Sequence, residues 1–204
     1  MMIYYYISAA PFIVYWVTSL FIELFVEEDV KDKIISNGVS KKRVFINTFF
    51  ATLSTVAINI LIVDLNILPK ENCRLEYIFL GIWWIDTVEY FIHRVMHSNS
   101  FLYKNCHKTH HELHDTYSFG SLYNGFFEHC LTSPTIFFGI YYFGFSFSEY
   151  IIISVLANIA TIIDHTYINY KNRFHYLHHS KYHNYNFQQP FFTYYDRILG
   201  TYKC

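Results

Sequence analysis

Apolar and polar positions follow one another along this chain in long blocks. Residues 2–26 are almost uniformly apolar, with Pro11 early and Glu23 near the end, which is long enough to cross a hydrocarbon core of about 30 Å. A cleaved leader would need a basic stretch ahead of the apolar run, and none is present, so a retained span is expected. Residues 27–43 are charged, and residues 44–63 then run without one charge, the cleanest transmembrane pattern in the sequence. A connector, 64–74, carries Pro69, and a third apolar stretch, 75–92, is interrupted by Glu76, Asp86 and Glu89. Residues 98–118 are polar. The block 119–163 is too long for one span, and the break at 144–149 predicts a hairpin of two membrane helices, before Asp164 and His165 open a polar C-terminal part. These elements predict an all-α polytopic membrane protein of about four to five membrane helices with a cytosolic helical cap. Residues 1–74 would supply N-terminal membrane helices and connectors, and residues 75–204 the rest of a single domain.

Composition agrees with a bilayer setting. Hydrophobic residues make up 53% and charged residues 15%, proportions that suit a membrane protein better than a soluble one. A net charge of -1 with mixed signs gives no nucleic-acid footprint. The four cysteines (Cys73, Cys106, Cys130, Cys204) form no pairing pattern and read as free thiols. Of the 15 Lys and Arg only Lys70 and Arg74 fall on the far side of this topology, so the loop 27–43 and all that follows residue 92 outside the hairpin are expected to face the cytosol.

The chemistry lies in the histidines. All 12 occur between His93 and His183, and eight form three groups: His93 with His97, then His107, His110 and His111, then His175, His178 and His179. On a helix, residues three and four apart share a face, so each group aims its imidazoles at one place. So many nitrogens exceed what one ion needs when it must keep a position open for chemistry, and two metals are implied. Asp86, Glu89, His93 and His97 form one polar stripe on an apolar helix. Carboxylates within a membrane segment default to a functional role, and orienting the ligating imidazoles is the one expected for Asp86 and Glu89. His114 and His183 continue the ligand stripes as candidate extra or orienting ligands, whereas His129 is a weaker candidate.

With these boxes the chain resembles the fatty acid hydroxylase/sterol desaturase superfamily of non-haem di-iron membrane oxidases. The resemblance covers roughly residues 83–203. It is carried by Glu89-Tyr90-Phe91-Ile92-His93-Arg94, by Leu102-Tyr103-Lys104 leading into His107-Lys108-Thr109-His110-His111, and by His178-His179-Ser180, Asn184-Tyr185-Asn186-Phe187 and the run from Phe191 to Tyr202. The closing stretch is similar to the tail of the sterol C-5 desaturase and cholesterol 25-hydroxylase branch. Asp164-His165 resembles an Asp-His pair there, which adds His165 as a ninth ligand and Asp164, with Asn169, as candidates around the site. Gln188 stands where that branch has glycine. The resemblance implies two Fe ions with O2 as co-substrate and hydroxylation or desaturation of a lipid. A sterol is the expected substrate, and a fatty acyl lipid or sphingolipid the alternative. It further implies electrons from NAD(P)H through cytochrome b5 and its reductase, and a place in the endoplasmic reticulum with the site facing the cytosol.

Other classes fit less well. A b-type cytochrome needs single histidines in mid-span, whereas these are doubled near span ends. A zinc protease needs a glutamate between its histidines, and His111-Glu112-Leu113-His114 lacks that spacing. A silent lipid-binding protein on the same fold would be free to lose ligands, yet every box is complete.

Overall fold

Residues 2–25, 38–70, 73–166, 174–188 and 191–204 are described by the computed structural model. Among them every regular element is helical, as segments in lipid must be if their backbone groups are to find partners internally. The first apolar block is divided into α1 (Met2–Ser8) and α2 (Ala10–Glu23). Pro11 lies in the first turn of α2, where its missing N–H costs nothing. The uncharged run forms α3 (Lys41–Asp64), which starts ahead of it because the Ser40 side chain accepts from the Arg43 amide at 3.3 Å. α4 (Leu75–Ser98) continues through the third apolar stretch and carries the first histidine pair in its last turns.

The long block is the expected hairpin, α5 (Phe126–Tyr142) and α6 (Phe147–Asp164). Between them Gly144 takes φ +70, a conformation open to glycine at little cost. Ser146 and Glu149 then form a reciprocal capping box that starts α6. Two short helices, α7 (Phe174–Ser180) and α8 (Tyr194–Ile198), complete the C-terminal part.

Three segments are long and apolar enough to cross a membrane by length and composition: Met2–Glu23, Lys41–Asp64 and Phe147–Asp164. Large apolar side chains such as Val17, Phe21, Phe50, Leu61, Phe138 and Tyr142 point outward, which suits lipid as the neighbour. α4 interrupts its apolar stretch with Glu76, Asp86, Glu89 and Arg94, and α5, at 17 residues, is one residue shorter than α6. Of the acids of α4, Asp86 is 0% exposed and Glu89 half-buried, whereas Glu76 in the first turn is exposed.

α2 packs chiefly on α6, and α4 lies against both α5 and α6. α4 and α5 approach closely at Gly139, where any Cβ would collide with the Trp84 indole. The indole N–H then reaches the Ile136 carbonyl at 3.0 Å. Ile62, Val63, Leu68, Ile85, Ile140, Phe145 and Phe147 fill the main core. At that end Arg74 grips the fully buried Glu149 with two bonds of 2.9 Å. A second cluster of Val44, Leu113, Tyr117, Tyr123 and Tyr176 lies at the opposite, histidine-bearing end. The ends of α4 and α6 and the whole of α7 deliver imidazoles there.

The second histidine group departs from the helical expectation. A π-turn, Tyr103–His107, is followed by a 3-10 turn, His110–Glu112. The Lys108 amide closes the wide turn on the Tyr103 carbonyl at 2.8 Å. A chain that must reverse beneath α5 within a few residues cannot hold a regular helix, and π-turns recur where such a segment serves a site.

Candidate metal centre

Nine imidazoles gather in two adjoining groups: His93, His97, His107, His111 and His178, and beside them His110, His165, His175 and His179. Within each group the candidate donor atoms lie within 4.8 Å of one another. The spacing of the boxes explains the division. Offsets of four (93 and 97, 107 and 111, 175 and 179) keep two rings in one group, and offsets of three (107 and 110, 175 and 178) send the second ring to the other. Boxes two and three thus contribute to both groups and hold them together.

Hydrogen bonds fix which nitrogen each ring offers. Nδ1 of His93, His110, His165, His178 and His179 donates to the carbonyls of Phe187 (2.9 Å), Tyr123 (3.3 Å), Thr161 (2.8 Å), Tyr185 (2.7 Å) and Leu113 (3.1 Å). A carbonyl can only accept, so these Nδ1 atoms carry the proton and each Nε2 presents a lone pair. Yet Nε2 of His110 and Nε2 of His179 stand 2.9 Å apart. Nε2 of His178 stands 3.1 Å from those of His97 and His111, with His97 and His111 3.0 Å apart.

Lone pairs facing at such distances repel unless a cation lies between them. Two ligand atoms at right angles around a metal–nitrogen bond of about 2.1 Å lie about 3.0 Å apart, so the residues fit bound metal. Nε2 of His93 and His165 and both nitrogens of His175 are likewise buried with no protein partner. Protonation does not supply the cation. Burial, followed by the neighbouring imidazoles, holds His107, His111, His175, His178 and His179 well below the ordinary imidazole value. Burial brings His110 to about 4, and burial followed by the neighbouring His110 brings His165 to about 3. Neutral imidazoles of this kind suit iron, zinc, copper and nickel.

The surrounding carboxylates differ from expectation. Asp86 bonds to no histidine. It accepts from Gln188 Nε2 (3.1 Å) and from the amides of Phe191 (3.0 Å) and Phe192 (2.8 Å), so it anchors the C-terminal segment. Glu89 makes no hydrogen bond to a ring among the described residues. On a helix it stands one turn before His93. The carboxylate that does orient a ligand is Glu128, whose Oε1 accepts from His107 Nδ1 at 2.8 Å. An acid inside the apolar block 119–163 was the available signal, but only the α4–α5 packing shows which ring it meets.

Gln188 and Asp196 serve the same segment. Asp196 accepts from the amides of Phe187 (3.0 Å) and Gln188 (2.7 Å) and from the Thr201 hydroxyl (2.7 Å). Gln188 joins Asp86 to the Tyr195 amide (2.7 Å). Together they hold the Phe187 carbonyl in place for His93. His114 is exposed and His183 half-buried, and both stand outside the two groups, as does Asp164. His129, too, joins neither group. Asn169 lies outside the described residues. Arg197 stacks over Tyr202 at 3.9 Å, a structural pairing.

The fatty acid hydroxylase family model matches residues 78–201. Sphinganine C4-monooxygenase 2 of Arabidopsis thaliana is 33% identical across 94% of this chain and 85% of its own length. Sphingolipid C4-hydroxylase sur2 of Schizosaccharomyces pombe is 37% identical across 61% of this chain, and the match spans about half of that protein (47%). Very-long-chain aldehyde decarbonylase GL1-9 of Oryza sativa subsp. japonica is 34% identical across 57% of this chain and 50% of its own length. No solved structure matches the chain.

Proposed function

The chain belongs to the fatty acid hydroxylase family, and from that membership we propose that it is a di-iron, O2-dependent hydroxylase acting on the long-chain base of a sphingolipid. The observation that carries this reading is the pair of adjoining imidazole groups, five rings and four, with facing lone pairs. Relatives named as sphinganine and sphingolipid C4-hydroxylases direct it to that substrate class and to hydroxylation rather than desaturation. The sterol expectation rested on the closing stretch of the sequence. That stretch serves the metal end of the fold: Asn186, Asp196 and Thr201 shape the segment that holds His93. A motif with that task says little about the substrate, and the sterol reading gives way.

His93, His97, His107, His111 and His178 would hold one iron, and His110, His165, His175 and His179 the other. When bound, the irons supply the activation of O2 needed to attack an unactivated C–H bond. The residues of the chain prepare for that chemistry. Bonds from Nδ1 to backbone carbonyls and to Glu128 keep Nε2 of His93, His107, His110, His165, His178 and His179 bare and their ring planes fixed. The second group is closed to water, with no ring more than 4% exposed, whereas His97 in the first is half-buried and marks the open side.

One oxygen atom of O2 enters the C–H bond as a hydroxyl, and the other leaves as water with two electrons and two protons. NAD(P)H supplies those electrons through cytochrome b5 and its reductase. On this reading residues 75–204 form the catalytic region, residues 1–74 add membrane helices, and the site faces the cytosol from the endoplasmic reticulum. Expression in cells that lack long-chain-base 4-hydroxylation, followed by lipid profiling, tests the substrate. The expected result is a long-chain base one oxygen heavier at C4, and altered sterols with unchanged sphingolipids would return the sterol reading.

A further inference from the structure

A nitrogen-by-nitrogen account of the cluster leaves two ligands incomplete: His175, both of whose nitrogens are buried without a partner, and His111. His93, His107, His110, His165, His178 and His179 each place Nδ1 on a carbonyl or carboxylate. His97 is half-buried and open on one side. His111 commits Nε2 to the first group, 3.0 Å from His97, 3.1 Å from His107 and 3.1 Å from His178. Its Nδ1 therefore points away from the group, and that atom is buried without an acceptor. A buried donor of this kind is rare unless something satisfies it.

Two rings that belong to neither group lie beside His111: His183 at 5.4 Å between centroids and Tyr103 at 5.8 Å. Of these, His183 has the matching deficit, since its own Nδ1 is buried and unpartnered. The two nitrogens make no direct bond, and ring centres 5.4 Å apart bring them within the span of one bridging water. The loop that carries His183 is already committed to the site. The Tyr182 amide closes it on the Leu177 carbonyl at 2.8 Å, the Tyr185 amide on the Tyr182 carbonyl at 2.8 Å, and the Tyr185 carbonyl takes His178 Nδ1 at 2.7 Å.

We propose that His183 is a positioning residue for the first group, its Nδ1 accepting the Nδ1–H of His111 through a single water and so fixing the tautomer and plane of that ligand. The same loop then orients His178 with a backbone carbonyl and His111 with a side chain. The inference rests on reading the two groups as metal sites.

Equilibrium titration of the full-length, metal-stripped protein with Co(II), followed by its electronic spectrum, tests it in wild type, His183→Leu, His183→Gln and Tyr103→Phe. Wild type should take up two ions per chain. His183→Leu should still bind two at saturation, one of them 10–100-fold more weakly, with a changed spectrum for that ion. His183→Gln should restore most of the affinity, because its amide oxygen can accept from the same water, which separates positioning from loss of folding. Unchanged affinity in His183→Leu, saturation at a single ion, or a larger loss in Tyr103→Phe would each overturn the assignment. Failure of wild type to bind Co(II) would instead remove the metal reading beneath it.

Discussion

Replacing Asp86 by Ala should release the C-terminal segment from α4 and loosen the first imidazole group without touching a ligand. Asp86 is 0% exposed and accepts three hydrogen bonds, from Gln188, Phe191 and Phe192. Each donor left buried and unpaired costs about 1–3 kcal/mol. Partial rehydration of a displaced segment limits the sum, so a loss of about 3–5 kcal/mol is expected, a large share of the ~5–15 kcal/mol that stabilises a typical protein. Asp86→Asn keeps one acceptor oxygen but turns an NH2 group toward donors, so it should recover only part. The damage should spread to the metal end because the Phe187 carbonyl holds His93 Nδ1 at 2.9 Å. Hydrogen exchange read at Phe187, Gln188, Phe191 and Phe192, with the melting temperature in detergent and the metal content, measures the effect. Those amides should lose protection together and bound metal should fall. Unchanged exchange at Phe191 and Phe192 in Asp86→Ala would refute the anchoring role.

His110→Ala or His178→Ala should abolish lipid oxidation while membrane insertion persists, since neither ring lies in a span; product formation in either variant removes that ring from the set of ligands. Glu128→Gln keeps an oxygen for His107 Nδ1 but discards the charge, so a fall of about 10-fold in metal affinity or turnover is expected, and Glu128→Leu should lose about 100-fold; equal values for the two would show that the carboxylate does not orient His107. Arg74→Met leaves the fully buried Glu149 without its main partner, which should cost about 3–5 kcal/mol in thermal stability while metal content stays at the wild-type level. The metal-free protein should weaken as pH falls below 6.5. His110 and His165 are held at about 4 and about 3, so between those values and 6.5 the unfolded chain takes up protons that the folded one refuses. The slope is ~1.4 kcal/mol per pH unit for each ring so held, and a flat denaturation midpoint from about pH 7 to about pH 4 would contradict it.

The spans and the ligand boxes were legible because both are local patterns. Residues 44–63 show their membrane character by lacking charge, and the histidine offsets of three and four are the offsets that the two groups use. The hairpin break was legible too, since Gly144, Ser146 and Glu149 write a turn and a cap into the sequence. Partners far apart in the chain were not. Asp86 and Glu128 are both acids in apolar stretches, yet one meets the backbone of Phe191 and Phe192 and the other meets His107. Only the packing of α4, α5 and the C-terminal segment separates those roles. The π-turn at Tyr103–His107 escaped for a different reason: spacing alone does not distinguish a helix from two successive turns that put the same rings on one side.

Iron counted per chain in protein purified from iron-replete cells bears most directly on the whole account. Two atoms per chain are expected, one for each imidazole group, without haem absorption. One atom, none, or a haem spectrum would contradict a two-ion cage built from His93, His97, His107, His110, His111, His165, His175, His178 and His179.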